Sequence, residues 1–292
     1  MLYNYVKLLQ DFHIEYDDEI AWNRKFIAVK CPFCGSTHLT GGINVLHNYY
    51  NCWKCKGHDI QIYIRIITGL EWNDLKNNYI LDDSFAQIEN KKIFSEKVEL
   101  PESTNLNDKA RKYLLKRGFD PDELIDNYHI LSTNHLGSYN FRIIIPIYFM
   151  NELISFTSRD YTEQAKLRYK SCPKKDEVIH HKDILYGIDG VNSDTIIVVE
   201  GPMDKWKLGK NAIATLGIGY RETQVKLLLN FKKIILLFDH GKDAQQMALK
   251  MANTLSLAGR EVENIKLSKG DPGDFTYNQS LYLLKKLGVR YK

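Results

Sequence analysis

The chain has 292 residues, of which 44% are hydrophobic and 26% charged, so it can form a packed core, which argues against global disorder. The formal net charge is only +4, so bulk charge alone does not indicate a nucleic-acid partner. No apolar run approaches about 18 residues and the start lacks the pattern of a signal peptide, so we expect a cytoplasmic protein with no membrane partner.

Two C-x-x-C pairs lie near the N-terminus, separated by 17 residues: Cys31 and Cys34, then Cys52 and Cys55. Each pair can direct two thiolates at one point, and two pairs complete a tetrahedron, so the spacing predicts a structural Zn²⁺ site with one ion per chain. Four ordinary buried cysteines are the alternative. The fifth cysteine, Cys172, is far from both pairs and is expected to be a plain residue.

Aromatic and basic side chains surround the second cysteine pair, namely Tyr49, Tyr50, Trp53, Lys54 and Lys56. Rings that stack on bases and cations that meet phosphates suit single-stranded nucleic acid. The alternative is that these rings brace a small zinc fold. The segment between the pairs carries two glycines and alternating apolar residues, which predicts a β-hairpin.

The texture of the sequence predicts four regions. Residues 1–79 hold the cysteine pairs and one helical stretch from Asp59 to Asn78, and residues 80–103 are polar enough to be a linker. Residues 104–193 open with a helix from Asp108 to Arg117 and contain two strands. Residues 194–292 alternate apolar strands with helices, which predicts a parallel sheet covered by helices.

The apolar strand-length runs in chain order are Arg142–Ile147, Leu153–Thr157, Thr195–Val199, Ala212–Leu216, Lys233–Phe238 and Asn264–Leu267, with helical patterns at Glu222–Asn230 and Ala244–Ala258. The predicted fold class is therefore α/β, with an N-terminal zinc ribbon ahead of it.

Acidic residues follow three of the strands predicted for the parallel sheet: Glu200, Asp204, Asp239, Asp243, Asp271 and Asp274. The carboxyl ends of parallel strands share one edge, where ligands bind. Clustered carboxylates repel one another unless a cation is present, so the pattern predicts a site for Mg²⁺ or Mn²⁺. The alternative, strongest for Asp243, is that these are helix caps and loop carboxylates.

A basic stretch, Lys166–Lys175, carries five cations and includes Arg168 and Lys170, with Arg159 and Lys182 on its flanks. Such a patch can neutralise the phosphates of a template or of a triphosphate. Taken alone, a charge run is more often a solvated face.

The combination resembles the bacterial DnaG-type and phage DNA primases over most of the chain. The first block is similar to their zinc-binding domain. Arg142–Ile147, Ser155–Arg159, Arg168–Ser171 and Ile184–Gly187 stand where the family has basic active-site motifs. The resemblance thus implies that Arg142, Arg159, Arg168 and Lys170 handle phosphates in a primase core.

Two further motifs carry the resemblance. Val199–Asp204 is similar to the first TOPRIM motif, and Asp239-His-Gly241 stands where the second, D-x-D, belongs. Glycine thus replaces the second aspartate, and Asp243 or Asp271 is expected to supply the missing ligand. The resemblance implies catalytic roles for Glu200 and Asp239 in metal binding.

The implied function is synthesis of short RNA primers on a single-stranded DNA template from ribonucleoside triphosphates. No G-x₄-G-K-[ST] motif is present, so we expect the replicative helicase to be a separate partner, in a bacterial or phage-infected cytosol. Two alternatives stay open: a catalytically decayed TOPRIM protein that binds single-stranded nucleic acid, suggested by Gly241, and a TOPRIM nuclease or topoisomerase-like enzyme. No nucleophilic tyrosine domain is recognisable for a topoisomerase.

Overall fold

The structure is a computed structural model that describes residues 3–18, 26–45, 47–80, 97–191 and 193–289. The chain divides into two compact units, one of Met1–Phe94 with Ile188–Asn192 and one of Ser95–Gly187 with Ser193–Lys292. Most of the predicted linker, residues 81–96, lies outside the described residues, so the boundaries of the four predicted regions stay a prediction. Within the described ranges, no helix is long and apolar enough to cross a membrane.

The first unit is built on an antiparallel sheet in the order β1-β2-β3-β4-β5. Its elements are α1 (Tyr5–Asp11), β1 (Tyr16–Asp17), β2 (Phe26–Val29), β3 (Gly41–Asn44), β4 (Tyr49–Cys52), β5 (Lys56–His58), α2 (Ile60–Thr68) and α3 (Trp72–Asn78). The predicted hairpin between the cysteine pairs is confirmed as β3 and β4.

The single helix predicted from Asp59 to Asn78 is two helices in the structure. Asp59 caps the start of α2 by accepting hydrogen bonds from two backbone amides. Gly69 then adopts φ 75°, a left-handed conformation that ends the helix and that glycine tolerates best. The apolar periodicity continues across this break because α2 and α3 both contribute to the same core.

The second unit begins with two helices and an antiparallel sheet in the order β6-β7-β8-β9. These elements are α4 (Asp108–Lys116), α5 (Pro121–Tyr128), β6 (Leu131–Ser132), β7 (Arg142–Phe149), β8 (Glu152–Asp160) and β9 (Tyr169–Ser171). Sequence patterns anticipated α4, β7 and β8. They did not anticipate α5, which Asp120 caps and Pro121 opens.

A parallel sheet in the order β11-β10-β12-β13 completes the second unit. Its elements are β10 (Thr195–Val199), α6 (Pro202–Leu208), β11 (Ala212–Ala214), α7 (Glu222–Leu228), β12 (Lys233–Leu236), α8 (Lys242–Leu257), β13 (Glu261–Asn264) and α9 (Tyr277–Lys286). The predicted α/β class is confirmed, with a cysteine cluster early in the chain and a parallel sheet later in it.

The fourth strand of this sheet is not where the apolar run Asn264–Leu267 predicted it. The strand is β13, whose side chains are mostly exposed. It lies at the sheet edge beside β12, where Lys233 pairs with Glu261 and Glu263. An edge strand that packs few side chains does not need an apolar pattern, so periodicity misplaced it by three residues.

Candidate active site and metal centre

The four predicted zinc ligands meet in the first unit. The thiol sulfurs of Cys31 and Cys55 are 3.5 Å apart, and those of Cys34 and Cys52 are 4.0 Å apart. Sulfurs bound at about 2.3 Å to one tetrahedral ion lie about 3.8 Å apart, which matches these distances. The donor set therefore fits a structural metal ion. Four thiolates fill all four positions of a tetrahedral site, so none stays open for chemistry.

Local backbone geometry explains how each pair closes. Gly35, directly after Cys34, has φ 61°, and Lys56, directly after Cys55, has φ 77°. Each left-handed residue turns the chain back over its cysteine pair. Hydrogen bonding from Cys52 lowers the pKa of the Cys31 thiol to about 4, whereas burial raises the pKa of Cys55 to about 12. Crowded thiols that cannot all ionise together are a natural site for a cation.

The rings near the second cysteine pair serve the core of this unit. Trp53 and Tyr50 are each only 1% exposed, and Tyr50 stacks on Tyr63 at 4.0 Å. The alternative that these rings brace the zinc fold therefore describes Tyr50 and Trp53. Tyr49 is half-buried.

Carboxylates converge at the carboxyl edge of the parallel sheet in the second unit. Glu200 follows β10 and Asp239 follows the adjacent β12. The Asp239 backbone amide donates to Glu200 Oε1 at 3.0 Å, which holds the two strand ends together. Asp204 and Asp271 lie close enough to add to the same electrostatic field.

Asp204 is the best-anchored member of this cluster. It lies in the first turn of α6, is 8% exposed, and accepts hydrogen bonds from the backbone amides of Gly201 at 2.8 Å and Gly273 at 2.9 Å. A Cβ at Gly273 would lie 2.8 Å from Asp204 Oδ1 and 3.0 Å from Asp271 Oδ1, so any other residue there would displace these carboxylates. This contact brings the turn at 272–274 against the first TOPRIM motif.

Burial and mutual repulsion raise the pKa values of the carboxylates in this cluster. Burial, together with the charges of Asp239 and Asp271, raises the pKa of Glu200 to about 7 and that of Asp204 to about 8. Burial and Asp271 raise the pKa of Asp239 to about 6. In addition, Asp239 Oδ1 and Asp271 Oδ1 are buried without a hydrogen-bond partner. Oxygen atoms that are buried, unpaired and mutually repelling fit a hard divalent cation.

Two of the predicted ligands differ from the rest. Asp274 lies in the same turn as Asp271 but forms an ion pair with Arg117 at 3.0 Å and stays more than half exposed. Asp243 is exposed and is the second residue of α8, which follows the N-cap Gly241. Their predicted roles as metal ligands stay predictions, whereas Asp204 lies within the carboxylate cluster with both oxygens bound to backbone amides.

Arg142 and Arg159 occupy different surroundings. Arg142 is 6% exposed and donates to the carbonyl oxygens of Leu167 at 2.7 Å and Arg168 at 3.3 Å. It therefore shapes the loop that carries Arg168, whose own side chain is exposed. Arg159 donates to the Tyr113 hydroxyl at 2.9 Å and lies over the Tyr169 ring.

The register between β8 and β9 places Lys170 on the sheet face opposite Arg159. Tyr169 pairs with Arg159 across β8 and β9, so both lie on one face, whereas Lys170 pairs with Ser158 on the other. Lys170 donates to the Ser138 carbonyl at 2.6 Å and lies over the Tyr139 ring. Tyr169, by contrast, has its hydroxyl 4.0 Å from the position of a Cβ on Gly201, next to the carboxylates.

A lysine noted only as a flank of the basic stretch lies near the carboxylates. Lys182 Nζ donates to the Gly219 carbonyl at 2.8 Å, and its charge is felt by Glu200. Burial, and then Arg221, lower the pKa of Lys182 to about 8. No sequence pattern marked it because the residues that surround it come from distant loops.

The parallel sheet and this carboxylate edge resemble those of a TOPRIM domain. A Toprim-like family model matches residues 197–276. Over most of its length the chain is similar to bacterial DNA primases, as the sequence resemblance implied.

Sequence relatives include DNA primases of Aquifex aeolicus, 33% identical over 46% of this chain and 29% of the relative, and Lactococcus lactis, 24% identical over 88% of this chain and 50% of the relative. The chain thus spans half or less of the length of these curated relatives. The crystal structure of the zinc-binding and RNA polymerase domains of Aquifex aeolicus primase matches with a TM-score of 0.53 and 18% identity, covering 97% of this chain and 81% of that one. A DnaG catalytic core matches with a TM-score of 0.51 and 22% identity, covering 61% and 68%.

Proposed function

We propose that this protein synthesises short RNA primers on single-stranded DNA from ribonucleoside triphosphates. The observation that carries the proposal is the buried carboxylate cluster, in which Asp239 and Asp271 each leave one oxygen without a hydrogen-bond partner at the carboxyl edge of the TOPRIM sheet. Sequence relatives that are DNA primases support the same activity.

Glu200, Asp239 and Asp271 would hold Mg²⁺ or Mn²⁺, with Asp204 beside them. When bound, such an ion would supply positive charge that neutralises triphosphate oxygens and assists attack by a hydroxyl and departure of pyrophosphate. Asp204 has both oxygens occupied by backbone amides, so its part is to fix the turn at Gly273 and to add negative charge. Glu200 accepts the Asp239 amide, which keeps the ends of β10 and β12 at a constant separation.

Basic side chains would orient the triphosphate and template phosphates. Arg159 donates a hydrogen bond to Tyr113 and lies over the Tyr169 ring, and neither contact neutralises its charge. The Tyr169 hydroxyl lies near Gly201, so Arg159 is on the side of the carboxylates. Arg168 is exposed on a loop that Arg142 shapes through two carbonyl contacts. Arg142 is therefore a positioning residue in this proposal, whereas Arg159 and Arg168 bind phosphate.

The Cys31, Cys34, Cys52 and Cys55 cluster would hold Zn²⁺ and give the first unit a fixed surface for template DNA. Lys54 and Lys56 lie at this second cysteine pair, Lys56 being exposed. In this proposal a separate replicative helicase would deliver the template.

A primer-synthesis assay tests the proposal. Labelled ribonucleotides should be incorporated into short products on single-stranded DNA with Mg²⁺ or Mn²⁺, and Glu200→Gln should abolish them while the fold is retained. A protein that binds single-stranded DNA but incorporates nothing would favour the decayed alternative, which Gly241 in place of the second motif aspartate suggests. Cleavage of the template without synthesis would favour a nuclease.

A further inference from the structure

A second group of metal-ligand side chains lies in the turn between β9 and β10, outside the carboxylate edge. Glu177, His180 and His181 present one ligand atom each, and these atoms lie within 4.8 Å of one another. Glu177 is fully buried, and both histidine side chains are only 14% exposed. None of the three belongs to the cysteine cluster or to the TOPRIM motifs.

Glu177 uses only one of its two carboxylate oxygens. Oε1 accepts from the Ser155 hydroxyl at 2.7 Å and the His181 backbone amide at 3.1 Å, and it also contacts His181 Nδ1. Oε2 is buried and has no hydrogen-bond partner. Burying a carboxylate oxygen without a hydrogen-bond donor costs free energy, so a proton or a cation is expected beside it.

His180 faces that oxygen with a nitrogen that is not a donor. Its Nδ1 lies 3.3 Å from Glu177 Oε2 but accepts a hydrogen bond from the Lys182 backbone amide at 3.2 Å. Two acceptor atoms therefore lie side by side, and a cation bound between them would take over the His180 Nδ1 lone pair that now accepts from the Lys182 amide.

We propose that Glu177, His180 and His181 bind a divalent transition-metal ion of the Zn²⁺ class. An oxygen and a nitrogen bound at about 2.0–2.2 Å to one tetrahedral ion lie about 3.4 Å apart, and Glu177 Oε2 and His180 Nδ1 are 3.3 Å apart. Imidazole nitrogen favours Zn²⁺, Co²⁺ or Ni²⁺ over Mg²⁺, so this site and the carboxylate edge select different ions. Three protein ligands leave a fourth position for water.

The ion would order the turn that carries Lys182. His181 opens a short 3₁₀ turn, His181–Asp183, in which Lys182 reaches the Gly219 carbonyl and Asp183 pairs with Arg221. On the other side, Glu177 is tied to β8 through Ser155. A metal there would cross-link the antiparallel sheet to the loop beside Glu200.

Metal content of the full chain tests this proposal without reference to primer synthesis. Protein loaded with zinc and dialysed to remove loose ions should hold one further zinc ion per chain beyond the cysteine cluster, a total of about two, by elemental analysis. Glu177→Gln and His180→Ala should each lose that further ion. His135→Ala, a change at an exposed histidine outside the cluster, should keep it.

Cobalt separates this site from the cysteines. Co²⁺ added to protein whose cysteine site holds zinc should give weak visible bands without the strong near-ultraviolet absorption of thiolate ligation, and His180→Ala should remove them. Equal zinc content in the wild type and both cluster variants, or cobalt absorption of thiolate type only, overturns the proposal. Circular dichroism of His180→Ala, whose ring is 14% exposed in the wild type, shows whether this variant keeps the fold.

Discussion

Asp204 accepts a hydrogen bond from the backbone amide of Gly273, 69 positions away in the chain. The contact joins the first turn of α6 to the turn that carries Asp271, and leaves no room for a side chain at Gly273. The geometry of the carboxylate edge therefore depends on a glycine that has no chemistry of its own.

Gly273→Ala should weaken divalent-metal binding at this edge. The new Cβ would lie 2.8 Å from Asp204 Oδ1, so the carboxylate and the turn have to separate and the amide contact is lost. We expect a higher Mg²⁺ requirement for primer synthesis with the fold retained. Gly219→Ala is the control, since nothing lies within 4 Å of a Cβ there. An equal Mg²⁺ titration for both variants would contradict this reading.

Gly241→Asp should lower the Mg²⁺ requirement. Gly241 has φ −58° and open space around a Cβ, so an aspartate is tolerated without strain. The change restores the second aspartate of the D-x-D motif and adds a carboxylate next to Asp239. A Mg²⁺ titration of primer synthesis measures the effect, and a variant that requires as much Mg²⁺ as the wild type would show that position 241 does not reach the ion.

Asp243→Asn distinguishes a ligand from a helix-cap residue. Asp243 lies in the first turn of α8, where a negative charge stabilises the helix by roughly 0.3–1 kcal/mol. If Asp243 compensates for Gly241, the variant should need more Mg²⁺ with little change in stability. A small loss of stability with unchanged Mg²⁺ dependence would leave Asp243 as a cap residue only.

Sequence patterns predicted the parts of the site that depend on neighbouring residues. The cysteine spacing placed four ligands in one cluster, and the apolar runs ahead of Glu200 and Asp239 placed them at adjacent strand ends. Patterns did not identify Asp204 as the anchored member, because that role depends on Gly273. Nor did they separate Arg159 from Lys170, because the face of each residue depends on the register between β8 and β9.

Arg168→Ala and Lys170→Ala should differ in their salt dependence. The Arg168 side chain is exposed, whereas Lys170 is engaged by the Ser138 carbonyl and the Tyr139 ring on the sheet face opposite Arg159. We expect Arg168→Ala to lower the slope of template binding against salt by about one unit per lost phosphate contact. Lys170→Ala should change the slope less, and an equal loss in both variants would assign phosphate contacts to both faces.

Lys205→Met should stabilise the second unit, and the gain should shrink as pH rises. Lys205 is 3% exposed, its Nζ donates to the Gly209 carbonyl at 3.3 Å and lies over the Tyr128 ring, and burial lowers its pKa to about 7. The folded pKa is below the unfolded one of 10.5, so the contribution of Lys205 to stability is largest above pH 10.5 and is lost as pH falls towards about 7. Methionine fills a similar volume without a charge, so we expect a gain on the order of 1–3 kcal/mol near pH 7 that declines towards pH 10.5.

Hydrogen exchange of the α6 backbone amides across this pH range measures the difference, with Lys210→Met, at an exposed lysine, as the matched control. A difference between Lys205→Met and wild type that stays constant with pH would mean that Lys205 keeps its charge when buried.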